Sequence, residues 1–176
     1  MFKTTQKRID IFCSMMTFIP QDAIKWLIEQ GYFEAPASTK YHGNYAGGLF
    51  DHSLAVTESL VTLTDANGLT WQRRNSPWII GMFHDLCKMD AYISKDYGQT
   101  YEYNTEALLK GHGEKSIMVA ANILQLTMEE IACIRYHMGA FTDKEEWRNY
   151  TRAVNQYPNV LWTHHADMIA SHIKGV

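Results

Sequence analysis

The stretch SPWIIGMFHDLCK, residues 76–88, decides how the chain folds. Serine followed by proline is typical of a helix start, because serine caps the first N–H groups and proline fits the first helical position. The next residues are apolar nearly all round, which predicts a central and buried helix. That helix ends in His84 and Asp85, with Lys88 at the fourth position after His84. Burying such groups is costly unless each is paired or bound to a metal ion.

Helical periodicity continues on both sides of this stretch. It predicts helices over residues 9–16, 20–31, 49–64, 115–126, 128–136 and 159–172. Residues 32–48 carry one proline and three glycines and are predicted to form an ordered loop. Alternating aromatic and polar residues predict a short β-hairpin or an exposed loop over 91–103, around Asp96, Tyr97 and Gly98. The fold class predicted is all-α: a single helical domain over 1–176, with the N-terminal helices of residues 1–31 packed on the core.

Composition excludes several classes of protein. The 46% of hydrophobic residues and 20% of charged residues are ordinary globular usage, so a disordered or fibrous chain is not expected. The formal net charge of −3 gives no general basic surface, and phosphate-rich partners would have to be held locally, by a few side chains or metal ions. The three cysteines form no paired motif, and the apolar run at 11–19 is far shorter than the ~20 residues that span a bilayer. We therefore expect a cytoplasmic protein with no membrane partner.

Histidines and aspartates suggest a metal site. Imidazole and carboxylate groups from separate elements are the usual ligands of catalytic transition-metal ions. The candidates lie 25 to 32 residues apart, about one helix plus its connection, so each helix could deliver one ligand to a central pocket. Any helical bundle offers such spacing, and a core histidine bonded to a carbonyl is the ordinary alternative. The candidates are His52, His84, Asp85, His112, His137 and Asp167.

Five segments carry more specific motifs: YFEAPASTKYHGNYAGGLFDHSLAV, FHDLCK, GHGEKS, IRYHMG and LWTHHADMIAS. In this order, over residues 32–172, they resemble the HD superfamily of metal-dependent phosphohydrolases. The branch they resemble is that of small bacterial and phage HD hydrolases similar to the HD-domain 3'-5' exoribonucleases, whose site loop also reads GGL-x-x-H. A phage-encoded protein in the host cytoplasm would fit this branch.

The resemblance implies a helical HD domain with two divalent ions (Mn, Fe, Ni, Co, Zn or Mg) that hydrolyses a phosphoester of a nucleotide through a metal-bound hydroxide. It implies that Lys88 assists at the phosphate and that Asp85 bridges the ions. Two-metal branches often carry a histidine pair near the last ligand, whereas here Met138 follows His137. The implied first-ion ligands are His52, His84, Asp85 and Asp167, and those of the second ion are Asp85, His112 and His137.

Four further side chains are candidates for substrate binding: His42, Tyr45, Arg135 and His164. Each has an ordinary structural alternative, in a surface loop or in packing. Arg135 lies two residues before His137 and is expected to point away from it along a helix. The loop 41–48 and the segment 92–103 are expected to supply specificity if substrate binding orders them.

Several functions stay open at this point. A small nucleotide is the expected substrate, because the net charge is −3 and no nucleic-acid-binding domain is appended. The alternatives are a 3'-5' exonuclease or phosphodiesterase acting on single-stranded nucleic acid ends, and a non-catalytic nucleotide-sensing HD module. Oxygenase chemistry at a mixed-valent di-iron site is less favoured, because Lys88 suits a phosphate. A homo-oligomer is compatible with the sequence.

Overall fold

The computed structural model describes residues 3–96 and 99–176, and the predicted all-α class is confirmed in them. One small antiparallel sheet accompanies the helices, formed by β1 (Tyr92–Lys95) and β2 (Thr100–Tyr103). A π-helix, Ile169–Lys174, continues the last α-helix. The α-helices are α1 (Thr5–Met15), α2 (Gln21–Glu29), α3 (Gly48–Asn67), α4 (Ser76–Phe83), α5 (Gly113–Ala120), α6 (Met128–Tyr136), α7 (Trp147–Gln156) and α8 (Asn159–Met168).

Helix α4 is central, as its apolar sequence predicts. Ile79, Met82 and Phe83 belong to a core formed with α1, α2 and the start of α3, which includes a cluster of aromatic rings. Ile80 belongs to a second core formed with α3, α6 and α8. Gly81 lets α4 approach α3 closely, because a Cβ there would lie 2.6 Å from the Cα of Thr57. The C-terminal end of α4 is thereby held between both cores.

A buried carboxylate joins the N-terminal ends of α4 and α6. Glu130 accepts hydrogen bonds from the Ser76 hydroxyl at 2.8 Å, the Arg73 Nε at 3.0 Å and the Thr127 backbone N–H at 2.8 Å. The Thr127 hydroxyl in turn accepts from the Glu130 backbone N–H, which completes a capping box. This network fixes the start of α6 immediately after a turn.

One helix prediction was wrong in its bounds, and one helix was not predicted. The helix expected over 115–126 begins at Gly113 and ends at Ala120, where the Asn122 side chain donates to the Met118 carbonyl and residues 121–126 turn instead. Helix α7 was not predicted, because its sequence is largely polar and only Tyr150, Ala153 and Val154 pack against a core.

The β-hairpin predicted over 91–103 is confirmed by the pairing of β1 with β2. Asp96, the first of its three predicted turn residues, has a positive φ of 50°, and Tyr97 and Gly98 lie outside the described residues. Among the helices of the described ranges, none is long and apolar enough to cross a bilayer.

Candidate metal centre

All six predicted ligands lie together at the end of the central helix. They come from five places in the fold: the first turns of α3, the two residues just after α4, the residue before α5, the residue after α6 and the end of α8. Ligand atoms lie within 4.8 Å of one another in three overlapping sets, so the described residues include groups that could hold a metal ion. The sets are His52–His84–Asp85, His84–His137–Asp167 and Asp85–His112–His137.

Asp85 lies at the centre of this cluster, and its two carboxylate oxygens face different histidines. Oδ2 is 3.5 Å from the Nε2 of His52 and 3.4 Å from the Nε2 of His84. Oδ1 is 2.9 Å from the Nε2 of His112 and 3.6 Å from the Nε2 of His137. The two oxygens of the carboxylate therefore face two separate pairs of imidazoles.

The backbone fixes the orientation of three imidazoles. The Nδ1 atoms of His84 and His137 lie 2.9 and 2.8 Å from the carbonyl oxygen three residues earlier. The Nδ1 of His52 lies 2.9 Å from the carbonyl oxygen of Val176. Because a carbonyl only accepts, each Nδ1 must carry the proton and donate it. In the neutral ring the lone pair is then on Nε2, which faces the centre of the cluster.

The charges of the cluster are those of a cation site. Burial opposes ionisation of Asp85, but the Lys88 ammonium at 2.6 Å and the nearby imidazoles outweigh it and hold the pKa of Asp85 well below its usual range. Burial also opposes ionisation of Asp167, but the adjacent imidazole of His52 and those of His84 and His137 outweigh it and keep the pKa of this carboxyl low. Burial lowers the pKa of His84, whereas Asp85 raises the pKa of Lys88 despite burial. At neutral pH both carboxylates and the lysine are charged.

The donor atoms of these residues fit a divalent metal ion. Ligands that each lie about 2.1 Å from an ion in tetrahedral or octahedral geometry are about 3.0–3.4 Å from one another. The Nε2 of His52 is 3.3 Å from the Nε2 of His84 and 3.2 Å from Oδ1 of Asp167. Two facing lone pairs repel unless a cation lies between them, and Oδ1 of Asp85 is buried without a hydrogen bond of standard geometry in the described ranges.

A cavity of about 170 Å³ opens over the cluster and is lined by Asp85, Lys88, His112 and Asp167. His42 and His164, two of the four candidates for substrate binding, also line this cavity. The His42 ring lies 5.1 Å from the His52 ring, and burial together with nearby His52 and Lys88 lowers its pKa to about 4. His164 is fixed by a hydrogen bond between its Nδ1 and the His137 carbonyl at 2.8 Å.

The other two candidates for substrate binding, Tyr45 and Arg135, do not line this cavity. The Tyr45 hydroxyl donates to Asp51 at 3.2 Å, in a different pocket where Arg8 also binds Asp51 at 3.0 Å. The Arg135 guanidinium is paired with Glu114 and, at 3.5 Å, with Glu146. These placements do not bring Tyr45 or Arg135 to the cluster.

Ser171 and Cys87 contact residues of the site but were not identified from the sequence. The Ser171 hydroxyl lies 3.2 Å from Oδ1 of Asp167 and 3.5 Å from Nε2 of His42, so it joins two side chains at the cavity. Its position four residues after Asp167 in a helical segment is a signal that could have found it. The Cys87 sulfur lies 3.3 Å from Nδ1 of His112, and no sequence signal marks that contact.

Comparison with known proteins gives one partial match. A 74-residue segment is 34% identical to the dihydroneopterin 2',3'-cyclic phosphate phosphodiesterase of Methanocaldococcus jannaschii. The match covers 40% of this chain and 30% of that protein, so the chain spans less than a third of the relative's length. No family model and no solved structure matches the chain. Membership of the HD superfamily therefore stays a prediction.

Proposed function

We propose that this chain is a metal-dependent phosphohydrolase that hydrolyses a phosphoester of a nucleotide. The observation that carries the proposal is the placement of Asp85 between two pairs of imidazoles whose Nε2 atoms face it, beside a lysine at an open cavity. The partial match to a phosphodiesterase supports the same class of reaction and favours a phosphodiester bond as the one cleaved.

The ligand set of a first ion would be His52, His84, Asp85 and Asp167, and that of a second would be Asp85, His112 and His137. Divalent ions bound there would offset the negative charge of a phosphoryl group and lower the pKa of a water molecule towards neutrality. Bound cations would therefore allow a protein with a formal net charge of −3 to attract an anionic substrate.

Lys88 would act on the phosphoryl oxygens. Its Nζ lies 2.6 Å from Asp85, its pKa is raised, and its side chain lines the cavity above the cluster. A fixed ammonium in a site of low water content stabilises charge that develops on equatorial oxygens during displacement. We expect Lys88→Met to lower kcat by about 100-fold, the loss typical of one charge-stabilising donor. Lys95→Met, which removes an exposed lysine paired with Glu102, is the matched control and should retain full activity.

One set of measurements determines both which metal ion the protein binds and which substrate it hydrolyses. Protein purified without chelator is analysed for metal content, stripped, and reloaded with Mn²⁺. It is then incubated with nucleoside 2',3'-cyclic phosphates, nucleoside mono- and triphosphates, and short single-stranded RNA. We expect turnover of a small nucleotide that Asp85→Asn abolishes, and preference for RNA ends would instead favour the exonuclease alternative. Tight nucleotide binding with no turnover of any substrate would refute the enzyme and support the sensing module.

A further inference from the structure

A second cavity adjoins the metal centre and has a different character. It has a volume of about 450 Å³, within the ~300–1,000 Å³ range of pockets that hold small organic ligands. It lies between the β-hairpin, the segment 104–111 and the start of α5, and we call it the hairpin groove. Lys88 and His112 line both this groove and the cavity over the cluster, so the two spaces share a wall.

The hairpin turns an aromatic face towards the groove. Tyr92 pairs with Tyr103 across the strands, and Tyr101 lies two residues from Tyr103, so all three tyrosines are on one face. The rings of Tyr92 and Tyr103 have centroids 5.4 Å apart, and both residues line the groove. Tyr103 is 70% exposed, so its ring is accessible to a ligand in the groove.

Two polar side chains of the groove are already bonded within the protein. The tyrosine face is therefore the main surface that could recognise a ligand. The Asn104 side chain is already used, since its Nδ2 donates to the Asp90 carbonyl at 2.8 Å. The Lys115 ammonium is paired with the Asp90 carboxylate. Lys110 also lines the groove and supplies a cation that could meet the polar edge of a ring. An aromatic floor with a cation at its edge suits a planar heterocycle rather than an alkyl chain.

We propose that the hairpin groove binds the heteroaromatic base of the substrate, stacked on Tyr103, while the phosphate of the same molecule occupies the metal centre. This rests on the proposed function, because it assigns the phosphate to the cluster. The shared wall of Lys88 and His112 places the two subsites next to each other, and the cavity of about 170 Å³ over the cluster leaves room for little beyond the phosphoester and its sugar.

The test measures binding and does not depend on turnover. Calorimetry with Mn²⁺-loaded protein compares adenosine 5'-monophosphate with ribose 5-phosphate, which lacks the base. We expect the base to improve affinity by about 10-fold, in line with the stacking of a base on an aromatic side chain. Tyr103→Ala should remove most of that gain and leave ribose 5-phosphate binding unchanged, whereas Tyr103→Phe should retain it. Ile93→Ala, on the opposite face of the same hairpin and 44% exposed, is the matched control and should have no effect.

Two results would overturn the groove proposal: equal affinities of the two ligands for the wild-type protein, including no measurable binding of either, or equal weakening of both by Tyr103→Ala. The outcomes separate it from the proposed hydrolase function. Base-dependent binding without turnover would support the groove proposal and refute the hydrolase function. Turnover that does not depend on the base or on Tyr103 would support the hydrolase function and refute the groove proposal.

Discussion

Replacing Asp85 by asparagine is expected to abolish stabilisation of the protein by the proposed divalent metal ions. The two carboxylate oxygens of Asp85 face different imidazoles, at 3.4 and 3.5 Å on one side and 2.9 and 3.6 Å on the other. Asparagine has nearly the same shape but carries no charge and offers a single oxygen. Both proposed ions would therefore lose the anion that they share.

The size of the effect follows from binding to the folded state alone. At a free metal concentration 100 times Kd, one bound ion stabilises the fold by about 2.7 kcal/mol. For a chain of this length each kcal/mol raises Tm by about 2–4 °C, so one ion should raise Tm by about 5–11 °C and two ions by about twice that. His112 faces Oδ1 of Asp85 and belongs to the proposed ligands of the second ion alone. His112→Gln should therefore retain about half of the metal-induced rise in Tm.

Differential scanning calorimetry of chelator-treated protein titrated with Mn²⁺ measures these shifts, and mass spectrometry of the desalted protein counts the ions. We expect two ions for the wild type, one for His112→Gln and none for Asp85→Asn. Asp10→Asn, at an exposed carboxylate on α1, controls for loss of a negative charge and should match the wild type. A full metal-induced rise in Asp85→Asn would refute the reasoning. One ion in both the wild type and His112→Gln would remove the second site.

Two further predictions concern how the fold holds the site. Glu130→Gln should lower the stability by about 2 kcal/mol, since it removes the charge of a buried carboxylate that is paired with the partly exposed Arg73, and should lower Tm by about 4–8 °C in calorimetry. Glu29→Gln, in an exposed pair, should change Tm by less than about 2 °C, and equal effects of the two variants would contradict the assignment. Gly81→Ala should cost about 2 kcal/mol in urea unfolding although alanine favours helices, because its Cβ would lie 2.3 Å from the Thr57 hydroxyl. An unchanged or higher unfolding midpoint would show that α3 and α4 can separate without cost.

Residue chemistry predicted which polar side chains lie together better than periodicity predicted some of the helices. His52, His84 and Asp85 could be singled out because buried imidazoles and carboxylates are costly unless they are paired or bound to a metal ion, and the resemblance to the HD superfamily implied the same positions. Helix α7 was missed because most of its residues are polar, although Tyr150, Ala153 and Val154 fall at i, i+3 and i+4 and pack against a core. The end of α5 at Ala120 depends on a side chain of Asn122 that bonds the last carbonyls, which an apolar pattern through residue 126 does not show.

The backbone carbonyls that bond the histidines could not be predicted from the sequence either. These carbonyls explain why the cluster forms at helix ends. The last carbonyls of a helix have no partner within it. His84 and His137 each follow a helix end, and each gives its Nδ1 proton to a carbonyl of that final turn. One hydrogen bond thus caps the helix and at the same time sets the tautomer that leaves Nε2 available to a cation. Because the same contact serves folding and ligand geometry, changes that move the end of α4, such as Gly81→Ala, are expected to weaken metal affinity as well as stability.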